Sequence, residues 1–342
     1  MTLPQTYINR YEGESIPFDT VFQQKREMGH GLEMVCGPFP KEGRNPVKKS
    51  RLGRGNRFNI LYVLPMILIF AVFILYPVLQ VIYLSFFNKK VSGELVFIGL
   101  ENYVKFFTSQ DTIMVLKNTA FWVFVGVFAK IVLGMIMALI LYKNFKGKKL
   151  LTAVMLIPYA MPAAVSCTIW RLMYNPTFGH ISQMLLDLGV IKKAVSFLGS
   201  METSLLAVTI VNVWAVAPFC ALNILSTLYS IPGYVYEAAE IDGANSLQKF
   251  FRITLPLIAS DVRTLALLIG IWAFNSFDVI YMMTTGGPAG SSSILVNLVY
   301  ENAFQFNNRG YSAAISVICF LILMVFAVLY VQAKGKEDTS YE

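Results

Sequence analysis

Residues 237–256 hold the stretch of the chain with the most chemical content: Glu237-Ala238-Ala239, then Asp242-Gly243, then Ile253 and Leu255-Pro256. These types suit docking rather than catalysis. Ala238 and Ala239 are small enough to let another surface approach closely. Glu237 can meet a basic side chain of a partner. Gly243 permits a bend or a positive φ that other residues resist. A second group consists of polar and aromatic residues set inside apolar runs: Asn212, Trp214 and Phe219, then Trp272, Asn275, Ser276 and Asp278, with Lys130 apart from both. Polar groups in such runs are expensive in lipid and face a cavity or a neighbouring helix. Aromatic faces beside hydrogen-bonding groups are the materials of a small-molecule pathway; helix-to-helix packing is the alternative for each. No catalytic constellation accompanies them: no H-E-x-x-H and no nucleophile with a base at a recognisable spacing. A membrane-embedded enzyme is therefore disfavoured, and no catalytic residue is assigned. His30 and His180 have no metal partner at helical spacing, and none of the four cysteines forms C-x-x-C, so no metal site is expected.

These residues sit in a chain of 342 residues that is 56% hydrophobic and 14% charged, with a mean hydropathy of +0.59. A soluble domain carries about a quarter charged residues. Six apolar segments are each long enough to cross a bilayer, at about 60–86, 118–142, 150–172, 204–228, 262–284 and 312–331. The backbone in lipid must satisfy its own hydrogen bonds, so these are helices and the fold class is all-α and polytopic. Residues 1–57 form a polar tail, expected to be cytoplasmic and largely disordered. Residues 58–333 form the membrane domain, and 334–342 a cytoplasmic tail. The net charge of +8 is placed beside the spans, where cytoplasmic loops are normally basic, so no nucleic-acid partner is expected. The basic end of the tail and the lysines at 143, 146, 148 and 149 put both termini and the 229–261 connection inside.

Residues 232–256 are too regular for a loop. Pro232 is a good first helical residue, Tyr236–Ile241 is good helix material, Gly243 interrupts, and a second amphipathic stretch spans 246–253. The expectation is two short coupling helices bent at a glycine. Lys130 and Asp278 lie deep in their spans, about 20 Å and about 22 Å from the basic residues at the inner ends. A lone lysine there costs about 2.5–3.5 kcal/mol, which suggests that Lys130 meets a carboxylate, Asp278 or one on a partner subunit; snorkelling, a wet cavity or attraction of an anionic sugar are the alternatives.

The E-A-A, glycine, I-x-L-P spacing resembles the cytoplasmic coupling motif of bacterial ABC importer permeases, and Asp242-Gly243-Ala244 is its sugar-importer form. Leu75-Tyr76-Pro77, Gly99-Leu100-Glu101-Asn102-Tyr103, Ile169-Trp170-Arg171, Phe274-Asn275-Ser276-Phe277-Asp278 and Thr285-Gly286-Gly287-Pro288 resemble the same carbohydrate-uptake permeases (maltose/glycerol-phosphate type) in the same order. The resemblance implies a six-helix type I importer permease of the bacterial inner membrane, translocating a carbohydrate by alternating access. It implies a second homologous permease, two ATPase subunits and an extracytoplasmic sugar-binding protein as partners. ATP and Mg would be used by those partners, with no cofactor on this chain, which contains no G-x-x-x-x-G-K-[ST] loop. It also implies sugar contacts from the fourth and fifth spans, near Asn212, Ala215, Val216, Phe219, Trp272, Ala273 and Ser276. Alternatives are an importer of glycerol-phosphate, a polyol or an acidic sugar, or a non-transporting sensor that holds an ATPase.

Overall fold

The structure is a computed structural model that describes residues 56–89 and 94–338. The chain divides into two units, Met1–Tyr62 and Val63–Glu342. The polar tail expected over 1–57 lies, but for its last two residues, outside the described residues, as do residues 339–342. Helix α1 (Asn56–Phe70) leads through a wide turn at Ala71–Leu75 into α2 (Tyr76–Leu84). A hairpin of β1 (Phe87–Lys89) and β2 (Leu95–Phe97) follows, pairing Phe87 with Phe97. Then come α3 (Glu101–Thr108), α4 (Gln110–Tyr142), α5 (Lys148–Ala160), α6 (Ala163–Met173), α7 (His180–Asp187) and α8 (Ser204–Ser230). Helices α9 (Gly233–Ile241), α10 (Ser246–Lys249), α11 (Leu255–Phe274), α12 (Phe277–Thr284), α13 (Leu295–Tyr300) and α14 (Arg309–Asp338) complete the order. Five helical runs are long and apolar enough to cross a membrane, and six if the bent pair α5–α6 counts as one.

Local chemistry explains the interruptions. The wide turns at Ala71–Leu75 and Phe250–Thr254 each end two residues before a proline, Pro77 and Pro256. A proline ring removes one N–H and crowds the carbonyl four residues back; in both places the N–H of the residue before the proline reaches back five residues instead, from Tyr76 to Ala71 and from Leu255 to Phe250. The third span breaks outright. Pro162 drives Met161 into extended backbone at φ −77°, ψ 136°, and α6 restarts at 94° to α5. The fifth span breaks at Asn275 and Ser276 between α11 and α12.

Several expected boundaries move. The second span begins at Gln110 rather than near 118, and the last helix runs from Arg309 to Asp338, so the tail expected from 334 is helical to 338. The second coupling helix is not separate: α10, the wide turn and α11 form one continuous run, Ser246–Phe274.

The core is the seam between α4 and α8, with α11 against both and α14 against α11. Gly134 makes the seam possible. A Cβ there would lie 2.6 Å from Cys220 Cβ and 3.0 Å from the Ala221 nitrogen. Small residues that let helix backbones meet are the usual basis of association in lipid. Polar bonds add to it: Trp122 Nε1 donates to the Ala273 carbonyl at 2.9 Å, and the Leu295 amide donates to Thr119 Oγ1 at 3.0 Å. Cys167, Cys220 and Cys319 are buried in this core as free thiols.

Candidate functional site

The 230–256 region is a rigid, exposed bracket. Helix α9 ends with Gly243 at φ +76°, and the Ala244 amide bonds the Ala239 carbonyl at 2.9 Å while the Gly243 amide bonds Glu240 at 3.0 Å. This is a Schellman closure, which needs a left-handed residue at that position. Asn245 then opens α10 with a capping box, exchanging 2.9 Å bonds with Gln248. Two further links join the arms: Lys249 Nζ to Glu240 Oε1 at 2.6 Å, and Tyr236 Oη to Thr254 Oγ1 at 3.0 Å. Lys249, by hydrogen bond and charge, holds the Glu240 carboxyl below its ordinary range.

The bracket leaves its motif outward. Glu237, Ala238, Asp242 and Gly243 are exposed, and a Cβ at Gly243 would meet nothing within 4 Å. Ala239 is buried, Ile253 and Leu255 are half-buried, with Leu255 packed on the core, and Pro256 is exposed at the start of α11. Around them Tyr234, Ile241, Leu247 and Phe251 are 70%, 87%, 70% and 60% exposed. A mixed surface with protruding apolar side chains on a fixed backbone is suited to receive another protein. Sequence reasoning missed the bracing residues Tyr236, Glu240, Asn245, Gln248, Lys249 and Thr254. The Asn245-x-x-Gln248 spacing was the available signal for one of them.

The second group lies along α8, away from the bracket. Near its start, Tyr174 Oη donates to the Ala207 carbonyl at 3.3 Å, and Tyr174 stands on a polar cavity of 380 Å³ with Arg171, Asn175, Ser196, Thr284 and Thr285. Next along the helix, Trp214 meets Trp170 edge-on at 5.4 Å. Then Phe219 lies between Tyr159 at 5.4 Å and Trp272 at 5.2 Å. From Ala207 to Phe219 is about 18 Å of helix. The aromatic rings thus form a row that descends from the cavity, passing the breaks in the third and fifth spans. Tyr159 and Trp170, from the broken third span, were not among the expected site residues; neither hydropathy nor position suggested that α5 and α6 would turn toward α8.

The remaining expected residues fall as follows. Asn212 is buried on α8, and its side-chain amide makes no hydrogen bond among the described residues. Asn275 caps α11, is exposed, and donates to the Ile271 carbonyl at 2.9 Å. Ser276 is the half-buried residue before α12, and Asp278 is exposed in its first turn. The Lys130–Asp278 pair does not form. Lys130 is 2% exposed and 5.8 Å from the Trp122 ring. Asp278 belongs to α12, which packs on α6 and α8. Neither Lys130 nor Asp278 forms an ion pair with a described residue.

Residues 130–334 match the family described as binding-protein-dependent transport system inner membrane component. The chain is 34% identical to the trehalose/maltose transport system permease protein MalF of Thermococcus litoralis over 281 residues, 82% of this chain and 94% of that protein. It is 30% identical to the sulfoquinovosyl glycerol transport system permease protein SmoG of Agrobacterium fabrum, over 82% of this chain and 91% of that protein. Its fold is similar to that of a chain in a bacterial alginate ABC transporter solved with a pentasaccharide-bound periplasmic protein, with a TM-score of 0.68 at 22% identity, covering 80% of this chain and 93% of that one.

Proposed function

The chain belongs to the binding-protein-dependent transport inner-membrane component family, and on that premise we propose that it is a permease subunit of an ABC importer for a carbohydrate or glycoside. The observation that carries the reading is the exposed, internally braced bracket at one end of α8, with a row of aromatic rings along the same helix. The bracket is the contact for a separate ATPase subunit. Because its arms are fixed by caps, an ion pair and a hydrogen bond, little conformational freedom is lost on docking. Movement of the ATPase is therefore passed to α8 and α11, which flank it, rather than absorbed locally.

The aromatic row, with Asn212 and the break at Asn275–Ser276, is the substrate path. Rings supply faces for the apolar faces of a sugar. The unpaired Asn212 amide, and the polar groups freed where helices break, supply hydrogen bonds. The polar cavity at Arg171 and Tyr174 is the outer mouth, where a binding protein would release its sugar. Both termini and the bracket lie on the cytoplasmic side in this reading, supported by the lysines of the α4–α5 corner. ATP and Mg belong to the ATPase partners, and a second permease completes the pathway. The relatives' names support a glycoside or oligosaccharide substrate.

The test is ATPase activity of the complex purified with its genomic neighbours, against binding protein loaded with a panel of sugars. Stimulation by one sugar class, abolished by Gly243→Asp, is the expected result. A complex that copurifies an ATPase yet responds to no sugar, in parallel with unimpaired uptake in a strain lacking this chain, would replace transport by a sensing role.

A further inference from the structure

The corner between α4 and α5 carries a feature that import does not use. A groove of 520 Å³ is lined by Ile136, Leu139, Ile140, Phe145 and Leu151, with Lys143 at its rim. Ile136, Ile140 and Phe145 are 50%, 41% and 40% exposed among the described residues. The turn that closes the groove depends on Gly147 at φ +91°, and it gathers Lys143, Lys146, Lys148 and Lys149 within seven residues. Lys148 is engaged: its Nζ donates to Tyr229 Oη at 2.7 Å. Lys143, Lys146 and Lys149 are exposed, and none has a carboxylate within 4.0 Å among the described residues. No Asp or Glu lies between Asp111 and Asp187 in the sequence.

The geometry points to an anionic phospholipid, such as phosphatidylglycerol, as the occupant of this corner: one acyl chain in the Ile136–Leu151 groove and the headgroup phosphate on Lys143, Lys146 and Lys149. The groove alone would accept any acyl chain; the charge selects the lipid. The lysines lie just past the end of a 33-residue apolar helix, at the depth where headgroups begin, and basic pockets beside transmembrane helices are known to hold acidic headgroups. An acidic segment of another protein would match the charge but would have to enter a groove that faces hydrocarbon.

The test is native mass spectrometry of the intact complex equilibrated with mixed micelles of phosphatidylglycerol and phosphatidylcholine. The complex is expected to retain phosphatidylglycerol preferentially. Each basic residue at an anionic membrane surface is worth roughly five-fold in affinity, so the triple substitution Lys143→Gln, Lys146→Gln, Lys149→Gln should lower that retention by roughly a hundred-fold, and the three corresponding Lys→Arg changes should preserve it. Ile140→Trp, which fills the groove without altering charge, should also reduce it. Absence of any preference in the wild-type complex would overturn the proposal without recourse to variants. Full retention by the Gln or the Trp variant would overturn it as well, as would displacement of the lipid by an equal concentration of glycerol phosphate, which has no acyl chain.

Discussion

Gly243 is the residue whose conformation matters most. At φ +76° an alanine would be strained by about 1 kcal/mol, yet its Cβ would touch nothing within the chain. Gly243→Ala is therefore expected to shift the melting temperature of the complex only slightly while lowering sugar-stimulated ATPase activity severalfold, because the added carbon projects from the face proposed to receive the ATPase. The Glu240–Lys249 pair gives a pH signature. The folded-state pKa of Glu240 is depressed, so the stabilising contribution is present above the ordinary glutamate value of about 4.3 and is lost as pH falls through the lower folded value. The hydrogen-exchange protection of amides 233–249, taken relative to intrinsic exchange at each pH, should fall below about pH 4, and Glu240→Gln should abolish that dependence. Lys130 makes the opposite case. It is buried without a counter-charge among the described residues, and removing such a charge in favour of a similar apolar shape is neutral or stabilising. Lys130→Met should leave assembly and uptake intact, with equal or higher thermal stability. The helical turn at Gly243 was legible in the sequence because its residue types and spacing are local. The Lys130–Asp278 pairing was not, because rise per residue gives depth along a helix and says nothing about which way each side chain faces.

At the scale of elements, all-α architecture and the apolar spans could be read from hydropathy, since length and composition decide them. The breaks could not. Residues 150–170 carry no charge, and Pro162 could have produced a mild kink; only the extended Met161 backbone turns the chain by 94°. Asn275–Ser276 likewise looked like polar residues inside one long span, whereas they separate α11 from α12. The α4–α8 seam was equally hidden, because Gly134 and Cys220 lie 86 positions apart and only their meeting makes them important. Gly134→Ala is expected to destabilise by about 1–3 kcal/mol through overpacking. Cys220→Gly should relieve much of that in the double variant, so a double-mutant cycle on the melting temperature should show strong coupling. Additive effects would mean that the seam yields enough to admit a Cβ at Gly134, whose ideal position lies 2.6 Å from Cys220 Cβ.

Across the whole molecule, the aromatic row lies along α8 from near its start to Phe219, and the bracket follows the end of that helix at Ser230. Trp272→Ala and Phe219→Ala should each weaken uptake, with half-saturation raised up to about ten-fold, the equivalent of one ring-stacking contact of about 1.4 kcal/mol. ATPase copurification should not change. Measured in vesicles, that division would separate the path from the docking surface. A loss of ATPase copurification in either variant would instead give the rings a purely architectural role.

The Gly134 contact has a mechanical consequence. Two helices whose backbones already touch at a glycine cannot slide past each other by a turn without driving a side chain into a carbonyl. During a transport cycle α4 and α8 are therefore locked as a single lever, with the bracket as the short handle at one end of α8. Relative motion must then be taken up where the chain has already given up its helical hydrogen bonds, at Met161–Pro162 and Asn275–Ser276. Those two joints are the pivots on which the lever turns.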